Sequence, residues 1–367
     1  LPEKLSTDLT SLKFNEDRRS IVVEFVVADD GSIKNSDIYP AVVFNKAKLA
    51  YNSTNAWLEG SGPMPKPIAM IKGLDENLKL QHEAAKKLRC IRYRNGALSL
   101  ETIEARPVFQ GDNVSSLEEE KMNEAKDIIQ EFMICANTVT ARFLTAANFP
   151  SLRRVVRVPK RWDRIVELAS LKKYQLPAAP DSKALDLFLQ SEKTSDPVGF
   201  PDLSLSVIKL LGSGEYVVEL PGEEAAGHFG LALKDYTHST APNRRYPDLI
   251  TQRLLKAALS KKPVPYTPDE LTALATHCTA MEDSAKKVER QVEKSTAAML
   301  LQNSIGHQYD GIVTGVSDKG TWVRIFNPPV EGKVVTGFEG LDVGHRVRVQ
   351  LMHTDVNRGF IDFKKIG

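Results

Sequence analysis

The sequence predicts an α+β fold: a long region that mixes paired strands with helices, followed by a small all-β barrel. Three observations carry this. Ser20–Ala28 and Ser36–Asn45 read as two strands joined through the turn signal Asp29-Asp30-Gly31. Apolar residues then recur at helical spacing through long stretches of the middle of the chain. From Tyr309 the period switches to two, in short runs separated by Gly, Asn, Pro and Asp.

Taken in order, LPEKLSTDLTSL reads as loop and short helix, and Lys46–Leu58 turns helical after the first strand pair. Asp75–Arg94 predicts a longer helix stopped by Asn95-Gly96. Ala97–Thr102 reads as a strand. Ser116–Phe143 predicts a helix with an acidic start, Glu118-Glu119-Glu120, and a stripe that includes Ile128, Phe132, Ala136 and Val139. Ser151–Tyr174 carries eight Lys or Arg against two acids. Ala184–Ser191 and Ser204–Leu211 read as short helices, and Pro268–Gln302 as one or two long ones. The stretch Asn303–Gln308 marks the expected boundary, giving domains over 1–304 and 305–367. YDGIVTGVS, GTWVRIF, HRVRVQLM and GFIDF are the barrel strands.

The 367 residues are enough for two or three domains with full cores. No apolar run approaches a membrane span, and no secretory signal is present. Leu1 is not a natural start residue, so a fragment or processed form is expected. Cys90, Cys135 and Cys278 are far apart and lack metal-ligand spacing, which points to reduced thiols in a cytoplasmic setting. A net charge of +2 is small, so any nucleic-acid contact must come from local patches.

Gly227–Leu255, GHFGLALKDYTHSTAPNRRYPDLITQRLL, is the richest stretch in chemistry. It gathers His228, Tyr236, His238, Thr240, Arg244, Arg245 and Tyr246 ahead of a helix. Pro247 lacks an N–H and suits the first turn. Ile250, Leu254, Leu255 and Ala258 then recur at helical spacing. Two guanidiniums before a helix N-terminus match phosphate oxygens, which the free N–H groups and helix dipole also favour. The alternative is pairing with carboxylates, and Asp248 stands ready for Arg245.

Further along, Trp322 and Arg324 alternate with Val323 and Ile325. If the aliphatics face inward, the Trp and Arg face outward together, a platform on which single-stranded bases stack. Arg358 and His353 are placed to join them; a packing Trp at the barrel rim is the alternative. Arg153, Arg154, Arg157, Lys160, Arg161 and Arg164 form a basic run that either tracks phosphates or faces solvent.

HFGL, YTHST and P-x-RRYPDL resemble the signature near the end of the catalytic domain of the ribonuclease II / ribonuclease R (RNB) family. Ala241 and Asn243 depart from its usual T-S-P-I-R-R. The likeness extends to LPEKLSTDLTSL, AKLAYNSTNAWLEG, NGALSLETIEA and IIQEFMICANTVTARFL, and the final strands resemble an S1-type OB-fold. The resemblance implies an RNB-type domain, a mixed sheet surrounded by helices, followed by an S1 barrel. It also implies a processive 3′→5′ exoribonuclease acting on single-stranded RNA, monomeric and cytoplasmic. Such an enzyme uses two Mg²⁺ ions held by an aspartate cluster, and that cluster would lie upstream of Leu1.

The resemblance assigns roles position by position. Arg244 matches the arginine at the scissile phosphate, the expected catalytic residue. Tyr51 matches an aromatic that guides RNA; alone it reads as a packing residue. Glu131 matches an acid that holds the 3′ ribose and selects RNA through its 2′-OH; alone it reads equally well as a salt-bridged helix glutamate. Glu289 matches an acid near the RNA 3′ end. Arg245 and Tyr246 join the RNA-binding set with Trp322, Arg324 and Arg358. Leu100 stands where some relatives carry a base-stacking Phe. His228 and His238 read as hydrogen-bonding scaffold. No carboxylate group in the chain itself, Glu282-Asp283 and Glu289 included, has the dense spacing two ions need. The chain alone is therefore expected to be inactive. An RNA-binding protein without catalysis is the competing class, and a bare structural fragment the third.

Overall fold

The computed structural model describes residues 2–102, 105–111, 113–119, 122–224 and 226–366. After a short helical turn at Lys4–Leu9, β1 (Asp17–Val27) and β2 (Ile33–Phe44) pair antiparallel. Gly31 turns the hairpin at φ +88°, and a Cβ there would lie 2.3 Å from the Lys87 carbonyl oxygen, so only glycine fits. Three helices follow: α1 (Tyr51–Leu58), α2 (Lys66–Ala69) and α3 (Leu74–Arg94). Asp75 and Glu76 open α3, while Arg92 and Arg94 close it, as the helix dipole favours.

Next come β3 (Ala105–Gln110) and β4 (Asn113–Glu119), an antiparallel hairpin turned at Gly111, φ +62°. Here the structure corrects two sequence expectations. Ala97–Thr102 is not a strand: the Leu98 N–H donates to Gly230 O at 2.9 Å, and the Ser99 N–H to the Asp186 carboxylate at 2.8 Å. With those groups satisfied by a loop and a side chain, no ladder forms. The helix expected from Ser116 starts only at Glu124, because residues 116–119 belong to β4. The acidic run thus falls on a strand as far as Glu119; Glu120 lies outside the described residues. Asn123 sets the true start of α4 (Glu124–Ala146), its Oδ1 accepting from Lys126 N at 2.9 Å.

The basic stretch folds as β5 (Ser151–Val155) and α5 (Trp162–Leu171). Then come α6 (Ser182–Ser195), α7 (Phe200–Leu211) and β6 (Glu215–Glu219), which pairs antiparallel with β5. A loop of almost thirty residues leads to α8 (Tyr246–Leu259), and α9 (Pro268–Leu301) is a single long helix. The closing barrel holds β7 (Gln308–Ser317), β8 (Gly320–Ile325), β9 (Val330–Thr336), β10 (Arg346–Asp355) and β11 (Phe360–Lys365). Its closed order is β10-β11-β9-β8-β7, with β11 and β9 parallel. Strand β9 was not anticipated, because Pro328, Pro329 and Gly332 look like turn chemistry. Gly332 is there for packing: a Cβ would lie 2.4 Å from the Phe363 ring.

The chain divides into two compact units, each discontinuous in sequence: Leu1–Ser99, Met122–Ser191 and Ile208–Thr279, and then Leu100–Lys121, Glu192–Val207 and Ala280–Gly367. The first has two clusters. In one, Ile38, Leu88, Cys135, Val139 and Leu255 join the β1–β2 hairpin to α3, α4 and α8, with Phe25 edge-on to Phe132. Burial pushes the Cys135 thiol up to about 12, so it packs as a small apolar group. In the other, Leu144, Leu152, Tyr216, Ile250, Leu254 and Leu271 pack α4, β5, β6, α8 and α9 together. In the second unit Val323, Ile325, Val349, Leu351 and Phe363 fill the barrel, with Ala297, Ala298 and Leu301 of α9 against it. Full burial of each such aliphatic is worth about 1.5–3 kcal/mol.

Candidate functional site

The arginine doublet stands where the sequence puts it. Tyr246 and Pro247 open α8, and Arg245 is its N-cap residue in extended backbone. The two arginines part there. Arg245 turns inward: its Nη2 lies 2.7 Å from Oδ1 of the fully buried Asp248 and 3.3 Å from Thr240 Oγ1. The same Asp248 oxygen accepts from Ala241 N at 2.9 Å. Arg245 is therefore a counter-ion that closes the turn. Arg244 turns outward. It is exposed, and among the described residues its guanidinium makes no ion pair or side-chain hydrogen bond. Tyr246 beside it is also exposed.

Beneath the loop lies a cluster of rings, two tyrosines buried and two histidines half-buried. His228, Tyr236, His238 and Tyr216 meet edge to face at centroid distances of 5.6–5.7 Å. His228 Nδ1 accepts from Leu231 N at 3.2 Å, and His238 Nδ1 sits 2.8 Å from the Tyr216 hydroxyl. Burial, then nearby Arg154, pushes His228 down to about 4; burial, then Arg245 and Arg154, pushes His238 down to about 3. Both rings are neutral at pH 7 and each is tied to a neighbour, the arrangement a scaffold needs. A general base acting near pH 7 needs a pKa close to that value.

Glu131 is 2% exposed, and both its oxygens accept from Arg92: Nε at 3.1 Å and Nη2 closer still. This is the ion-paired reading of the two left open by the sequence. Holding a ribose would require one oxygen to be released. Tyr51 opens α1 and is 48% exposed, so packing does not account for it. Two members of the basic run are buried, and Arg157, Lys160, Arg161 and Arg164 are exposed. Arg153 is 1% exposed and bound to Glu219 at 2.6 Å; Arg154 is 9% exposed and lies over the Tyr216 ring. Arg157 pairs with Glu215, Arg164 with Glu167, and Arg161 donates to Lys209 O. Strand β6 supplies Glu219 and Tyr216 to the two buried arginines and Glu215 to Arg157, which takes Arg153 and Arg154 out of the phosphate-tracking surface and leaves the exposed members on it.

Glu289, Trp322, Arg324 and Arg358 belong to the second unit. Glu289 is exposed on α9, and Arg358 is exposed in the β10–β11 turn, 3.9 Å from Asp355. Val323 and Ile325 are fully buried, so the expected alternation on β8 holds. Arg324 is held by both oxygens of Asp202 on α7, at 2.9 and 2.6 Å, and its side chain is 12% exposed. Trp322 is half-buried, and its cross-strand neighbour is Lys333, a cation the sequence reading passed over with β9. Leu100 is also half-buried.

Mg²⁺ pairs need several converging carboxylates. Among the described residues no group of three or more His, Cys, Asp or Glu is placed to hold a metal ion. The residues present do not fit a two-metal centre, and no step through a metal is assigned to them. Among the described residues no helix is long and apolar enough to cross a membrane.

The chain matches the RNB domain over residues 1–261 and the RNase II-type exonuclease C-terminal S1 domain over 307–366. It is 32% identical over 343 residues to Ribonuclease R of Aquifex aeolicus, covering 91% of this chain and 47% of that protein. Ribonuclease R of Escherichia coli is 30% identical over 350 residues, covering 91% and 42%. The chain thus spans less than half the length of these relatives. Among solved structures, Mycoplasma genitalium RNase R in complex with ribose methylated single-stranded RNA superposes with a TM-score of 0.89 at 22% identity, over 100% of this chain and 60% of that one. Yeast Ssd1, a pseudonuclease, superposes at 0.68 and 17%, over 98% and 43%. At those identities the superpositions speak for the fold alone. The family matches cover well over half of the chain, and on that ground it belongs to the RNB family and carries that family's carboxy-terminal S1 domain.

Proposed function

We propose that this chain is the carboxy-terminal share of a 3′→5′ exoribonuclease that releases nucleoside 5′-monophosphates from single-stranded RNA, with Arg244 stabilising the scissile phosphate. The observation that carries it is the split of the arginine doublet. A guanidinium left without a side-chain partner among the described residues, on a loop clamped at a helix N-terminus, is a preorganised donor for an anionic ligand. Its partner Arg245 stays with Asp248 and keeps the turn rigid, so Arg244 needs little rearrangement to meet charge as it develops. Exposed Tyr246 and Tyr51 offer faces for the bases or riboses beside that phosphate. In the barrel, Trp322 with Lys333, rather than with Arg324, is the pair suited to a stacked, negatively charged strand. The names of the Ribonuclease R relatives support the reaction class. The two-metal step itself needs converging carboxylates, and among the described residues no group of three or more is placed to hold an ion.

Arg244→Ala in the full-length protein should cut single-turnover cleavage by roughly 10²–10³, worth about 2.7–4 kcal/mol, with little change in RNA affinity. Arg244→Lys should recover only part, because an ammonium cannot reproduce the planar fork. Wild-type cleavage in either variant removes the assignment. The competing reading is an RNB-like RNA-binding protein without catalysis, favoured by the scattered carboxylates. It predicts tight RNA binding with no Mg²⁺-dependent release of mononucleotides from the full-length protein.

A further inference from the structure

The loop carrying Arg244 belongs to no helix or strand from Tyr236 to Arg245, yet side chains from two helices fix its backbone. Every polar group of Ser239 is taken. Asn137 Oδ1 on α4 accepts from Ser239 N and from Ser239 Oγ, both at 2.9 Å. Gln252 Nε2 on α8 donates to Ser239 O at 2.8 Å, and Thr140 Oγ1 lies 3.3 Å from Ser239 Oγ. Asn137 Nδ2 reaches the Tyr236 hydroxyl at 3.4 Å. Two residues on, Ala241 is held by Asp248, and Ala241 O accepts from Arg244 N and Arg245 N at 3.2 and 3.0 Å. The path from Asn137 to the Arg244 backbone is short: hydrogen bonds to Ser239, two residues of chain to Ala241, and a hydrogen bond from Arg244 N.

We propose that Asn137 is a positioning residue for Arg244: its buried amide locks Ser239 and Tyr236, and so sets where the exposed guanidinium points. Asn137 is fully buried, so it meets no substrate itself. The residue type is informative. Asn is a poor helix former in a helix interior, and local preference does not place it in the middle of α4. An amide offers an acceptor for two donors and, on a separate atom, a donor for the tyrosine, whereas a hydroxyl would have to serve all three from one oxygen. Aspartate would supply acceptors alone and bring a charge into a buried site. The inference rests on the role of Arg244 proposed above.

The test is a double-mutant cycle in the full-length protein on single-stranded RNA, with amide hydrogen exchange as an independent readout. Asn137→Ala should slow single-turnover cleavage about tenfold to hundredfold, the scale of a misplaced reactive group. RNA affinity should stay within about twofold, and exchange should rise at Ser239 and Ala241 while α4 keeps its protection. In an Arg244→Ala background, Asn137→Ala should cost almost nothing further, because the group it positions is gone. Damage to the fold in general would instead add. A slow Arg244→Ala combined with additive losses in the double variant, or unchanged loop exchange in Asn137→Ala, overturns the proposal alone. Wild-type cleavage in Arg244→Ala removes the role of Arg244 and this proposal with it. Where Asn137→Ala does not fold, Ser239→Ala removes only the hydroxyl contacts and keeps the N–H bond. It should show a several-fold loss with the same non-additivity, and additivity there is equally decisive against the proposal.

Discussion

Of the three arginine doublets in this chain, the two later ones end in opposite states. Arg153-Arg154 sits in β5, where every residue is buried; Arg244-Arg245 precedes α8 with one side chain in and one out. Charge density along the sequence ranks the first higher, since four more basic residues follow it by position 164. What separates them is the facing surface. Strand β6 brings Glu215 and Glu219 against β5, and the Tyr216 ring lies under Arg154. The turn before α8 offers one buried acid, Asp248, and Arg245 takes it. A free cation is thus what is left after three-dimensional partners are counted, and that is the property a phosphate site requires.

The largest effect that tests this contrast is on stability. Arg153→Ala strands Glu219 in a buried site, which should cost about 3–5 kcal/mol in equilibrium unfolding. Replacing both, Arg153→Met with Glu219→Leu, should return most of it, because the desolvation cost vanishes with the charges. Among the described residues, two Arg153 nitrogens, Nε and Nη1, are buried without a hydrogen-bond partner, which adds to that cost. Arg244→Ala, by contrast, should leave unfolding within about 0.5 kcal/mol of wild type, as a surface change does. An Arg153→Ala variant as stable as wild type would show that β5 carries its charge for some purpose other than packing.

How far the sequence reached follows the same line. Strong periodicity made α3, the body of α4, the β1–β2 hairpin and four barrel strands legible, because apolar spacing is written locally. Strands β3 and β4 were hidden by Ser116–Glu119, whose acids and small polar residues look like a helix start until Asn123 is seen to cap the real one. Strand β5 was hidden by its arginines, which suit a buried strand only once Glu219 is opposite. At the site, the Arg245–Asp248 pair spans three residues and could be read; Arg92–Glu131 and Asn137–Ser239 span 39 and 102 and could not. Arg324 repeats the lesson: alternation placed it on the outer face, but only the fold supplies Asp202.

Both doublets press on the histidine cluster, and this gives a pH effect of intermediate size. His228 and His238 have folded values of about 4 and about 3, below the ordinary 6.5. Above pH 6.5 both states are neutral and the groups add no pH dependence. As the pH falls below 6.5 the unfolded chain takes up protons that the folded chain refuses, so stability is lost progressively down to the folded values. At pH 5.5 the loss is about 1.4 kcal/mol for each histidine. Unfolding midpoints in urea should drop between pH 7.5 and 5.5, and His228→Gln with His238→Gln should flatten that slope. An equal slope in the double variant would mean that the rings are not held neutral beneath the loop.

The smallest effect sharpens the contrast most, because it isolates burial from charge. Arg157 follows the buried doublet by three residues and is also paired, with Glu215 on β6. Its side chain is 58% exposed, however, and the partner 36%. Water screens such a pair and the long side chain loses rotamer freedom in forming it, so exposed pairs contribute about 0–1 kcal/mol. Arg157→Ala should therefore shift unfolding by under about 1 kcal/mol, several times less than Arg153→Ala, although each removes one arginine–glutamate pair to β6. What remains small in stability can still appear in binding. If Arg157 contacts RNA, its loss should lower the salt dependence of affinity by about one counterion, uniformly across sequences. A stability loss matching that of Arg153→Ala would show that β5 and its continuation act as one charged unit, and burial would then not be what distinguishes the two doublets.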